Sequence, residues 1–76
     1  MSLRRHSLSL GGHRTSIAIE DEFWAELQRI ARARNTSLPR LIAEVDGARA
    51  NETPPPNLGS ALRLFVLADL KTRAGG

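Results

Sequence analysis

The stretch "HRTSIAIEDEFW", residues 13–24, changes its period halfway through. Up to Ile19 it alternates, with Thr15, Ile17 and Ile19 on one side of an extended chain and Arg14, Ser16 and Ala18 on the other. This alternation predicts a strand over 14–19. From Glu20 three acids precede the bulky pair Phe23 and Trp24, as at the start of a helix. A strand must pair its N–H and C=O groups or leave them to water. No second strand in the chain is as clear, and a lone strand laid on helices keeps two open edges. What pairs with 14–19 therefore decides the fold.

The chain has 76 residues, a length at which a single core is marginal unless it is stapled or shared. It has no cysteine, so no disulfide and no thiolate metal site, and His6 and His13 are too few for a metal cage. No metal or other cofactor is expected. A shared core, and hence a homodimer, is the remaining solution. "MSLRRHSLSL" lacks the apolar core of a secretory signal. The longest apolar stretch, "LFVLADL", falls far short of the ~20 residues that span a bilayer. The expectation is a cytoplasmic protein with no membrane partner.

The net charge of +3 is unevenly placed. Residues 1–19 hold Arg4, Arg5 and Arg14 and no acid, whereas 20–50 hold six acids against five arginines. An acid-free basic segment suits a polyanionic partner as well as a solvated tail.

Residues 1–13 are thin in apolar content and are expected to form a basic arm. The alternative is a hairpin in which "HSLSL" returns through Gly11–Gly12 onto the strand. A first helix is predicted over 21–34, with Phe23, Leu27, Ile30 and Ala31 as its apolar stripe and Trp24 flanking it as a core or dimer-interface anchor. Asn35 can take the left-handed conformation that stops a helix. Thr36 or Ser37 caps a second helix with Pro39 in its first turn, and Leu38, Leu41, Ile42 and Val45 form its apolar face. Residues 46–57, with three consecutive prolines, form a linker. A third helix is predicted over 58–70, capped by Asn57 or Ser60, with a frayed basic tail over 71–76. Leu58, Ala61, Leu62 and Phe65 lie on one side of it and Leu64 and Leu67 on another, so it should be covered by more than one neighbour.

The economical partner for the strand is the same strand of a second copy, antiparallel about a two-fold axis. The class is then mainly α with one strand per chain and an intermolecular two-stranded ribbon. Ile17, Ile19, Phe23, Trp24, Leu27, Ile30, Leu41 and Ile42 would form the dimer core. A two-stranded ribbon has the width to enter the major groove of double-stranded DNA. Arg14 would bond guanine bidentately, Ser16 would bond a base edge, and the Ala18 methyl would meet a thymine methyl. The start of the second helix offers backbone N–H groups to a phosphate, with Arg40 nearby. Arg4, Arg5 and His13 would reach adjacent phosphates.

"RTSIAIEDEFWAELQRIARARNTSLPRLIAEV", residues 14–45, resembles the ribbon-helix-helix family of dimeric transcriptional repressors of the MetJ and Arc type. "GGHRTSIAIEDEFW" together with "NLGSALRLFVL" is similar to a bacterial subgroup of small ribbon-helix-helix-domain proteins. The resemblance implies base reading by Arg14, Ser16 and Ala18, and phosphate contacts near Thr36, Ser37 and Leu38. Ala18 stands where a longer polar reader is common in the family, and the linker and third helix are additions to its minimal motif.

The function expected is a sequence-specific DNA-binding repressor located at the nucleoid. Two other readings stay open. One is an antitoxin of a toxin–antitoxin pair; the other is a dimeric interaction module without DNA binding, with the third helix holding a partner protein. An enzyme is not expected: the serines and histidines have no acidic partner or nucleophile turn beside them.

Overall fold

The computed structural model describes residues 3–75; positions 1, 2 and 76, the outer ends of the expected arm and tail, lie outside the described residues. Gly11 and Gly12 have φ of 55° and 82°. Positive φ at both central residues is the requirement of a two-residue type I′ turn, whose twist matches that of the strands it joins. The turn closes a hairpin of β1 (Leu3–Leu10) and β2 (His13–Glu20). The strands are antiparallel, in a register running from Leu10 opposite His13 to Leu3 opposite Glu20.

Two expectations are thereby corrected. The segment expected as a basic arm is a strand, and the partner of β2 is β1 of the same chain, so the ribbon is intramolecular. The physical reasons are local. The few apolar groups of the segment are spaced by two, so that Leu8 is buried and His6 and Leu10 are half-buried on a single side. A two-residue loop also brings the strands together at little entropic cost, whereas a second chain gives up translational and rotational freedom. The two faces of β2 fall as expected, with Ile17 and Ile19 buried and Arg14, Ser16 and Ala18 exposed.

The chain passes directly from β2 into α1 (Asp21–Ala33), which buries Leu27, Ile30 and Ala31. Asn35, at φ 59°, ends it in the left-handed conformation. The Thr36 N–H donates to the Ala31 carbonyl and the Asn35 N–H to that of Arg32, the pair of bonds of a Schellman stop. Next comes α2 (Leu38–Ala50), capped by Ser37, whose Oγ accepts from the Arg40 N–H at 3.2 Å. The expected linker thus loses 46–50 to this helix. Gly47 costs a helix interior only about 1 kcal/mol, and the Arg49 guanidinium ties to Asp46 one turn earlier and to the Pro56 carbonyl. The chain then enters α3 (Leu58–Ala74), where Asn57 Oδ1 accepts from the Ser60 N–H at 2.8 Å. It runs four residues past the expected end, because nothing before Gly75 breaks it and Lys71 and Arg73 complement its C-terminal dipole.

Ile19, Leu27, Leu41, Ile42, Leu62 and Val66 have no exposed surface, and Ile17 and Ile30 almost none. The residues assigned to a dimer core are therefore closed over within one chain; only Phe23 and Trp24 among them stay half-buried. The cover comes from α3 through Leu62 and Val66, and from β1 through Leu8. Two ion pairs fasten α3: Arg29 of α1 to Asp69, and Glu20 to Arg63, both at 2.8 Å. Its first turn lies against the outer edge of β2, where a Cβ on Gly59 would stand 3.4 Å from the Ala18 carbonyl oxygen. The edge problem is thus met by β1 on one side and by α3, over part of its length, on the other. The second side of α3 is not covered as expected, for Leu64 is 61% and Leu67 45% exposed. No helix among the described residues is long and apolar enough to cross a membrane.

Candidate nucleic-acid interface

The side of the hairpin turned away from the helices carries two short rows. On β2 stand Arg14, Ser16 and Ala18; on β1 stand Arg5, Ser7 and Ser9; all six are exposed. The register sets Ser9 opposite Arg14, Ser7 opposite Ser16 and Arg5 opposite Ala18. Six outward side chains were expected from two copies of β2, and one chain supplies them. His13 is exposed at the tip of this ribbon, beside the turn.

The ion pairs decide which cations are available to an anionic ligand. Arg4, Arg29, Arg49 and Arg63 each have a carboxylate within 4 Å. Among the described residues Arg5, Arg14, Arg32 and Arg40 have none. The acid at the base of the outward face, Glu20, is occupied by Arg63, whose hydrogen bond lowers its pKa, with its own backbone adding to the effect. Asp21, which follows it, meets Arg4 at 3.3 Å. Arg4, expected at a phosphate, is therefore held at the base of the ribbon by the start of α1. Arg5, expected at a phosphate as well, is on the outward row beside the base-reading positions.

A second cationic place lies where α1 gives way to α2. Arg32, Asn35, Thr36, Ser37 and Arg40 line an open hollow of about 630 Å³. The expected Thr36, Ser37 and Arg40 meet there, and Leu38 opens the helix beside them. The donors of this helix start are fewer than at an ordinary one. Pro39 has no N–H, and the Arg40 N–H is used by Ser37. The Leu38 N–H and the two guanidinium groups are left to meet an anion. Thr36 Oγ1 beside this helix start is buried with no hydrogen-bond partner. Arg32 was missed in the sequence. Its place in the last turn of α1 marked it only as a dipole-complementing residue, and it reaches the hollow because the left-handed turn at Asn35 folds α2 back beside it.

Trp24, expected as a core or dimer-interface anchor, meets His6 of the same chain. Their rings stack with centroids 4.1 Å apart and planes 11° from parallel, and His6 Nε2 lies 3.5 Å from Asp21. The stack anchors the inward side of β1 to α1.

A hairpin of exposed Arg and Ser over a bundle of three helices, with a cationic helix start alongside, defines a small β-ribbon domain. The chain belongs to the ribbon-helix-helix domain family, whose model matches residues 3–70 and so takes in β1 and most of α3 as well as the central motif. The family is in general one of DNA-binding regulators. No curated protein and no solved structure gives a match.

Proposed function

We propose that the chain is a sequence-specific binder of double-stranded DNA that lays its hairpin in the major groove and acts as a transcriptional repressor at the nucleoid, in the cytoplasm. The carrying observation is the outward face of the ribbon, where Arg5, Ser7, Ser9, Arg14, Ser16 and Ala18 are all exposed and neither arginine has an acid beside it. Such a ribbon has the width of the groove, and these side chains suit base edges: a guanidinium forks onto guanine, hydroxyls accept or donate, and a methyl meets thymine. The hollow at the start of α2 takes a backbone phosphate and fixes the register of the ribbon on the duplex. The ribbon itself is paired within one chain; association of two such chains on the duplex, as is typical of the family, is part of the same proposal.

Selection from a random duplex pool, followed by titration of the enriched site at two salt concentrations, tests it. A specific site should emerge and its affinity should fall steeply with salt, because each phosphate contact releases counterions. Arg14→Ala should lower specific affinity about 5- to 150-fold, as loss of a bidentate base contact does. A pool without enrichment refutes DNA reading.

The exposed leucines of α3 support a second reading, a protein-interaction module. Leu64, Leu67 and Leu70 are 61%, 45% and 38% exposed and recur at helical spacing. Changing all three to Gln should leave DNA affinity intact and abolish capture of a protein partner; loss of DNA binding instead would place these leucines in the DNA-binding unit.

A further inference from the structure

Two features of the helical side of the molecule lie next to each other. The first is a stripe along α3. Ser60, Leu64, Leu67 and Lys71 follow one another at helical spacing, on the side of the helix turned away from the buried Leu62 and Val66. Leu64 and Leu67 are the most exposed large apolar residues of the helices. The second is a hollow of about 450 Å³ between α2 and α3. Its floor is apolar, with Leu41, Val45, Ala61 and Phe65, and Leu64 belongs to both features. Glu44 and Glu52 stand exposed on its α2 side.

The charges around these features are ordered. Among the described residues, Glu22, Glu44 and Glu52 are the acids with no cation within 4 Å, so two of the three stand at this hollow. The cations that line it are engaged: Arg49 by Asp46 and the Pro56 carbonyl, and Arg34 by the Phe65 ring, 5.1 Å from its centre. The last turn of α3 has the opposite sign. Lys71 and Arg73 are exposed, no carboxylate among the described residues lies within 4 Å of either, and no acid follows Asp69.

The face of α3 thus has an apolar middle, acids beside its first half and bases at its end. A two-fold axis makes such a face complementary to itself. We propose that it is covered by a second copy of this chain, with the two α3 helices antiparallel and Leu64 of each copy packed on Leu67 of the other. Ser60 then meets Lys71 of the other copy, a small residue making room for a long one. Lys71 and Arg73 of each copy reach the Glu44 and Glu52 of the other, and the helix dipoles run in opposite directions. No residue of the outward rows of the hairpin enters this contact. The proposal rests on the protein-interaction reading above and names its partner.

The size of the face sets the strength. A helix of 17 residues is ~25 Å long, and one face of it against another buries no more than the ~1,200 Å² at the low end of specific interfaces. The core stays closed within each copy, so pairing joins two folded chains and completes neither. It belongs above the low micromolar range in free solution, and two chains held on one duplex gain the benefit of a higher effective concentration.

Sedimentation velocity of the full chain, from low to high micromolar concentration, tests the proposal. The sedimentation coefficient should climb from that of one chain toward that of two. Leu67→Lys sets a charge against Leu64 of the other copy and should raise the half-pairing concentration more than about 10-fold. Leu67 is exposed in the single chain, so circular dichroism should show that variant folded. A charge exchange supplies the second arm. Glu44→Lys with Glu52→Lys, and separately Lys71→Glu with Arg73→Glu, should each weaken self-association about 5-fold or more. An equal mixture of these two variants should pair again, because each contact then joins opposite charges. A chain that stays single throughout, a Leu67→Lys variant that pairs like the unmodified chain, or a mixture that does not recover overturns the second copy as occupant. If the chain stays single while the triple Gln variant loses capture of a different protein, the interaction-module reading stands without this partner; if neither is seen, both fall.

Discussion

Replacing Leu62 with alanine isolates the part that α3 plays in making one chain a complete folded unit. Leu62 has no exposed surface and packs among residues of β2, α1 and α2 that were expected to face a second chain. Truncation removes the equivalent of three methylene groups, ~2.4 kcal/mol of transfer free energy at ~0.8 each, before any cavity is counted. With a partly relaxed cavity the cost is ~2.5–4 kcal/mol. A domain of 76 residues has a total stability of only ~4–11 kcal/mol. The variant should therefore lose roughly a quarter of it or more, and its Tm should fall by ~10–30 °C at ~4–8 °C per kcal/mol. Urea unfolding followed by fluorescence of Trp24, the chain's one tryptophan, measures the loss. It should be run over two decades of protein concentration. A core closed within the chain gives a midpoint that does not move with concentration, whereas a core shared between chains gives one that rises. A loss below ~1 kcal/mol, or a midpoint of the unmodified chain that climbs with concentration, would show that α3 does not complete the core.

Two glycines with equally open surroundings should respond in opposite directions. No atom lies within 4 Å of a Cβ added to Gly12 or Gly47, so packing is equal and conformation decides. Gly12→Val should destabilise the hairpin by ~1–2 kcal/mol because φ is 82°, while Gly47→Ala should stabilise α2 by ~0.5–1 kcal/mol; paired urea midpoints check both, and a neutral Gly12→Val would remove the type I′ turn. Arg63 lowers the pKa of Glu20 in the folded state, so this pair adds stability above the ordinary value of 4.5 and loses it as pH falls through the lowered folded value. Glu20→Gln should therefore have a lower Tm than the unmodified chain at neutral pH, and the gap should close on acidification and narrow with salt; a gap that widens toward low pH would contradict the pairing.

Most of the local structure was legible in the sequence because it depends on spacing within a few residues. The alternation of Thr15, Ile17 and Ile19 fixed which side of β2 faces the core. The acids at 20–22, the left-handed Asn35, the Ser37 and Asn57 caps and the stripe through Leu27 and Ile30 placed the helices. The hollow at the start of α2 was legible through Thr36, Ser37, Leu38 and Arg40, all near one helix start. Arg32 was not, since the turn geometry alone brings it there.

Short-range pattern thus sufficed for a strand with one apolar side, three amphipathic or apolar helices, and an outward row of Arg14, Ser16 and Ala18. Tertiary structure alone decided what the strand pairs with and what closes the core. Alternation shows which face of a strand is buried but says nothing of which backbone takes its edge. That choice is a competition between a nearby weak strand joined by two glycines and a distant identical one, and the cost of association favours the nearby one. Once β1 is paired, Leu8 and the buried side of α3 complete the core within the chain. The same pairing gives Arg5, Ser7 and Ser9 their positions beside the β2 row, a juxtaposition that exists only in the register.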